Sequence, residues 1–144
     1  MKKAIIALSS VIALVLFTGC GKSKVLECSL TQSATGYKMV GTEKITFKGN
    51  DVKDYSAEFV MELDEKYLTY KSTFVSAFKT QMNQYKGIDG VELNTKETDD
   101  GVKVTMKANV QKMTDDGLKK FDLKKKASYS ATKTAREKSG YKCK

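Results

Sequence analysis

The chain has 144 residues, a formal net charge of +9 and no His, Trp or Pro. Lacking histidine, it is excluded from Ser-His-Asp and Cys-His catalysis and from the commonest transition-metal ligation. Of its 26 basic residues only Arg136 is arginine, which argues against forked recognition of bases and phosphates and so against a nucleic-acid partner.

The first segment is a leader. Lys2 and Lys3 precede an apolar run from Ala4 to Phe17, interrupted by Ser9 and Ser10. A charged start, a short oily middle and small residues at its end describe an export signal. Fourteen helical residues reach about 21 Å, short of a hydrocarbon core of about 30 Å. The run ends Leu16-Phe17-Thr18-Gly19-Cys20, which resembles the lipobox of bacterial lipoproteins. In that family the cysteine takes a diacylglyceryl group and a dedicated peptidase cuts before it. Thr18 and Gly19 fit the narrow backbone such a site needs, while Phe17 stands where the family usually has Leu. The alternative is a plain signal peptide with an incidental cysteine. Two acyl chains anchor a protein firmly where one is marginal.

Residues 1–19 are then a signal peptide, 20–24 a lipidated N-terminus with a short linker, and 25–144 one domain. Removing Lys2 and Lys3 leaves 24 basic against 17 acidic residues, a net +7. A basic surface outside the membrane meets anionic lipid or wall polymer; plain solubility is the bland alternative. The Gly21–Lys24 linker reaches at most about 14 Å, so the domain sits near the bilayer.

Within the domain the first strand spans Val25–Thr31, with Leu26, Cys28 and Leu30 on one face. A hairpin follows, Met39–Lys48 and Val52–Leu63, turning near Gly49-Asn50-Asp51. Val52 falls off the alternation of Tyr55, Ala57, Phe59, Met61 and Leu63, which predicts a bulge. Asp64 reads as the cap of a helix running to Tyr85 and ending before Gly87. At 100° per residue Tyr67, Tyr70, Phe74, Phe78, Met82 and Tyr85 form one stripe. Val91–Glu97 and Val102–Gln111 read as a second hairpin about Asp99-Asp100-Gly101. Thr114 caps a short helix carrying Leu118 and Phe121, and Ser130 caps another over Ala131–Ser139. The sum is α+β: an antiparallel sheet of about five strands packed on one long helix, with short C-terminal helices.

With Cys20 assigned to lipid, Cys28 and Cys143 remain to pair in an oxidising compartment. Such a bridge closes a loop of more than 100 residues. Two free thiols are the alternative, without a CxxC spacing to support a metal or redox role.

Other patterns have bland readings beside sharp ones. Thr-Asp-Asp-Gly occurs at Thr98–Gly101 and Thr114–Gly117, but neither copy has the alternating oxygen ligands of a calcium loop; a turn and a helix start account for both. No metal or cofactor is expected. The aromatic stripe is either core or the wall of an apolar cleft, with Tyr67, Tyr70 and Tyr85 at its rim. If Cys28 joins Cys143, then Lys22, Lys24, Lys142 and Lys144 gather as a basic collar at the membrane surface; uninvolved charged termini are the alternative. No phosphate loop or nucleophile motif is present, so no enzymatic activity is expected.

Together, the lipobox, the early cysteine, "ITFKGNDV", "YLTYKSTFVSAFKTQMNQYKG" and the terminal "ATKTAREKSGYKC" resemble the YehR-like family of small bacterial lipoproteins. That resemblance covers most of the mature chain. It implies a lipid-anchored extracytoplasmic protein at Cys20, with Cys28 and Cys143 retained, and names no reaction. The expected protein is a monomeric, membrane-anchored binding or envelope-maintenance module. The competing expectation is a carrier of a hydrophobic lipid or peptide, using a cleft between sheet and helix.

Overall fold

Alternating apolar and polar residues build a six-stranded antiparallel sheet in the computed structural model, which describes residues 22–144. The strands are β1 (Ser23–Ala34), β2 (Tyr37–Lys48), β3 (Asp51–Leu63), β4 (Val91–Glu97), β5 (Gly101–Asn109) and β6 (Lys142–Cys143), in spatial order β4-β5-β3-β2-β1-β6. The first three form a meander. The β4–β5 hairpin then adds at the β3 edge and the C-terminus adds at the β1 edge. The expected signal peptide and the expected lipid site at Cys20 lie outside the described residues.

The expected α+β class holds, with six strands rather than about five. The extra strand is β6, whose two residues give too short a run for period-two patterning to register. The first strand also exceeds its expected range. It begins at Ser23, so Ser23 and Lys24 belong to the sheet rather than to a linker. It ends only at a tight Thr35-Gly36 turn into β2, where Gly36 adopts φ +97°. The predicted irregularity near Val52 is present. Thr46 pairs with Asp54 and Phe47 with Val52, leaving Lys53 as the extra residue of a bulge.

The single long helix expected over 64–85 is three pieces: a 3-10 turn (Glu65–Tyr70), α1 (Lys71–Met82) and a second 3-10 turn (Asn83–Tyr85). Asp64 is the residue before the first piece but its side chain makes no capping hydrogen bond. Six residues advancing by about 120° rather than 100° shift the phase by roughly 120°. The stripe therefore breaks between Tyr70 and Phe74. Further on, α2 (Asp115–Lys120) starts as expected, with Thr114 Oγ1 accepting from Gly117 N–H at 3.2 Å. The last helix, α3 (Tyr129–Lys138), is capped by Ser128 rather than Ser130, so it begins two residues before the expected Ala131.

One face of the sheet carries the core. Leu26, Ile45, Phe47, Val52, Val102 and Val104 are almost fully buried, and Val75, Phe78 and Met82 of α1 join them with Leu118, Phe121 and Leu123. The other face is polar and open, with Lys44 paired to Glu27 and Lys103 to Glu58, each at 2.7 Å. This is the one-sided antiparallel arrangement that alternation implies.

Cys28 and Cys143 form a disulfide across 115 residues. They are a register pair of β1 and β6, flanked by reciprocal backbone hydrogen bonds between Glu27 and Lys144. Because β6 is so short, the bridge is what holds the C-terminal segment on the sheet edge. Replacing both cysteines by Ser should lower unfolding free energy by about 2–5 kcal/mol. Urea unfolding of the two proteins measures it, and an unchanged midpoint would contradict this role.

Candidate functional site

Between α1 and the inner face of the sheet lies a cleft of about 550 Å³. Its apolar walls come from Met39 of β2, Phe59 and Met61 of β3, and Phe74, Phe78 and Met82 of α1. Gly41 helps to shape its floor: a Cβ at that position would lie 2.9 Å from the Phe59 ring. Tyr37 stacks obliquely on Phe74, with ring centroids 6.1 Å apart. At the other end, Phe121 packs edge-on against Tyr55 at 5.3 Å and at a tilt against Tyr85 at 4.9 Å.

The cleft also holds two charges. Glu43 is 2% exposed and Arg136 7% exposed. Arg136 Nε stands 2.8 Å from Glu43 Oε1, yet its N–H is not directed at that oxygen, and neither atom has a hydrogen-bond partner. The guanidinium is otherwise engaged: Nη2 donates to the Phe121 carbonyl at 2.9 Å and Nη1 lies 3.6 Å from Asp122. Asp122 is the one non-glycine residue with positive φ, 49°, among the described residues. That turn after α2 brings the Phe121 carbonyl to Arg136. A Tyr141 ring lies 6.0 Å from the guanidinium carbon.

Burial shifts the ionisable groups here. Glu43 is pushed above its ordinary value by loss of water, against the opposing pull of Arg136 and the Tyr55 hydroxyl. Tyr55 is raised well above the usual phenol value, first by burial and then by the Glu43 charge. Tyr141 is raised for the same reasons. The result is an apolar chamber with a polar end, Glu43, Arg136, Tyr55 and Tyr141.

The sequence-derived rim residues fare differently. Tyr85 lines the cleft. Tyr67 instead turns onto the Gly36 turn, within 3.1 Å of where a Cβ there would stand. Tyr70 is 60% exposed. Both sit on the 3-10 turn, where the helical phase used to group them does not apply. Glu43, Arg136, Tyr55 and Tyr141 were missed as site residues. Signals existed: Glu43 is a charge at an inward position of β2, and Arg136 is the lone arginine among lysines.

The four collar lysines are not brought together either. Lys22 precedes β1 and Lys24 lies at its start, but Lys142 pairs opposite Ser29 and Lys144 bonds opposite Glu27. At about 3.3 Å per residue, Lys144 is roughly 10 Å and Lys142 roughly 17 Å up the strand from Lys24, which has the parity of the covered face while they stand beside residues of the open one. The two Thr-Asp-Asp-Gly copies fall in the β4–β5 turn and at the start of α2. Among the described residues no group of three or more His, Cys, Asp or Glu is placed to hold a metal ion. Nor is any helix among them long and apolar enough to cross a membrane.

The outer face has a broader depression of about 760 Å³ lined by Glu27, Thr42, Lys44, Glu58 and Lys107. Two of its lysine–glutamate neighbours are already paired, and it has no aromatic wall. The inner cleft is the better-built site.

A small α+β domain with one sheet, covered on a single face over an aromatic cleft, is the class these features define. No family model matches the chain, and no curated protein does. Among solved structures it is similar to an "NMR structure of the protein from Streptococcus pneumoniae TIGR4", at TM-score 0.53 and 15% identity, over 100% of this chain and 98% of that one. At that identity the likeness concerns the fold.

Breaking the buried pair should be costly. Arg136→Met leaves a buried carboxylate without its counter-charge and should cost about 3–5 kcal/mol, most of it recovered in Glu43→Leu/Arg136→Met. Chemical denaturation of the three proteins tests this; equal losses in single and double variants would contradict it. A second expectation concerns pH. Because the folded state raises the Glu43 pKa above 4.5, this group's stabilisation is full below that value and is lost as pH rises through the raised one. Stability of the wild type minus that of Glu43→Gln should therefore fall as pH rises from below the ordinary carboxylate value through the raised one. A flat difference would show that the carboxyl titrates normally.

Proposed function

We propose that this chain is a bacterial lipoprotein of the YehR-like kind. Acyl groups on Cys20 hold it at the extracytoplasmic face of the cell membrane, where it binds a single-chain amphiphile without transforming it. The cleft between α1 and the sheet carries this reading. A dry, filled interior would favour a purely structural envelope module, whereas about 550 Å³ lined by phenylalanine and methionine suits an apolar chain. Methionine adapts to irregular guests. The incompletely bonded Glu43–Arg136 contact suits a polar head that supplies a donor and an acceptor together. The anchor rests on the leader and lipobox pattern. The disulfide agrees with export, because the compartment outside the membrane permits it.

Intact mass of protein extracted from its own membranes tests the anchor. The expected species lacks residues 1–19, carries diacylglyceryl on Cys20 and keeps the Cys28–Cys143 bond. A bare Cys20 or an uncut precursor would refute it. Ala77→Trp tests the cleft, since Ala77 is exposed on α1 and lines the opening. Wild-type protein should bind N-phenyl-1-naphthylamine with a rise in fluorescence, and the variant should bind it at least roughly tenfold more weakly with its fold unchanged, as expected when a pocket is filled sterically. Equal binding by both proteins would place the ligand elsewhere.

A further inference from the structure

We propose that one end of the sheet is a docking face for anionic lipid headgroups, formed by Lys24 and Lys48 together with Lys124, Lys125 and Lys126. This rests on the acylation of Cys20, three residues before β1.

The juxtaposition follows from strand register. Ser23, where β1 begins, pairs with Lys48, the last residue of β2. Lys48 pairs with Asp51 at the start of β3. On the other side of β3, strand β5 ends at Asn109, opposite Asp54. The segment after α2 fills the place left: Asp51 bridges Lys126, Val52 N–H donates to the Lys125 carbonyl at 2.9 Å, and Ala127 N–H donates to the Asn50 carbonyl at 2.8 Å. Gln111 Nε2 reinforces this by donating to the Val52 carbonyl at 2.6 Å. The lysine triplet is thus fixed in line with the first residues after the anchor, about three strand spacings or roughly 15 Å across the sheet end.

The charges converge there. Lys24, Lys48, Lys124 and Lys126 are exposed and Lys125 is half-buried. None of the five makes an ion pair among the described residues. Asp51, the acid in their midst, is already held by Lys53 at 3.0 Å, and its carboxyl is lowered by Lys53 first, with Lys126 and Lys48 adding to it. At the opposite end of the sheet the charges are mixed, with Glu62, Asp64, Asp99 and Asp100 close to the β1–β2 and β4–β5 turns and Lys38 and Lys96 among them. The two ends are roughly 35 Å apart, several Debye lengths at physiological salt, so they act as separate surfaces.

Three residues from Cys20 to Ser23 span at most about 11 Å. An anchor that short presents the near end of β1 to the bilayer, and the five lysines lie on that end. Anionic headgroups attract lysines held near the surface. The tether and the charge would together orient the domain with its strands raised from the membrane, and the opposite end, of mixed charge, outward.

Lysine footprinting of the acylated mature protein tests this, in vesicles of phosphatidylcholine alone and with phosphatidylglycerol. A membrane-impermeant amine reagent should modify Lys24, Lys48 and Lys124–Lys126 roughly tenfold more slowly on the anionic vesicles, an effect that high salt removes, while Lys142 reacts alike on both. Lys124→Glu/Lys125→Glu/Lys126→Glu should abolish the protection of Lys24 and Lys48 while leaving the protein in the vesicle fraction. Equal rates on both vesicles, with the protein still vesicle-bound, would overturn the docking face and leave the anchor intact. Protection that needs a soluble polyanion rather than anionic lipid would overturn it in favour of a wall polymer. Protein without acyl mass that leaves the vesicles would overturn the anchor and the docking face together.

Discussion

A guanidinium pressed against a carboxylate, out of reach of water, is the contact on which much of this architecture turns. Glu43 projects from the middle of β2 into the covered side of the sheet. Arg136 reaches it from α3 while also binding the chain just after α2. One side chain thereby ties together the sheet, the C-terminal helix and the connecting segment. Unpaired, either charge would cost several kcal/mol at this depth; paired, they stabilise less than a hydrophobic pair of equal volume would. The pair is better understood as setting where the C-terminal third of the chain sits.

The disulfide complements that contact from outside. It joins β6 to β1 where two residues of pairing alone would fray. Between them, the ion pair and the covalent bond fix the two ends of the Arg136–Cys143 stretch. The chain after α2 is held just as deliberately, by backbone hydrogen bonds at the end of β3. Cleft and basic end thus share one cause: the C-terminal segment threads across one face of a sheet whose own strands leave the room.

The two faces of the sheet then divide the work. The covered face offers shape and apolar area, with its few polar groups concentrated at one end. The open face offers compensated charge, its Lys–Glu neighbours quenching one another. Five lysines without an acid partner among the described residues stand at the end of the strands nearest the N-terminus, and Lys107 and Lys142 of the open face have none either. In the proposed membrane setting, the orientation imposed by that end would lift the apolar part of the cleft, around Met39 and Met61, roughly 30 Å along the strands from the bilayer surface.

Much of this was legible from residues alone. The alternation of Tyr55 to Leu63 and of Val102 to Val110 specified strands and their buried face, because side-chain direction in a strand depends only on position parity. Thr114 specified the start of α2, because a cap acts within one turn. Cys28 and Cys143 were expected to form a bridge, because with Cys20 read as a lipid site only one pairing was open to them. The tertiary structure alone decided what depends on partners far along the chain. The phase of Tyr67 and Tyr70 was lost to a 3-10 turn that local propensity does not announce. The sixth strand exists only because a disulfide and the β1 edge receive it. Glu43 and Arg136 meet across 93 positions, and Asp51 meets Lys126 across 75, through tertiary pairing rather than sequence spacing. Local rules write the elements; which charges become neighbours is set by the order in which those elements lie in the sheet.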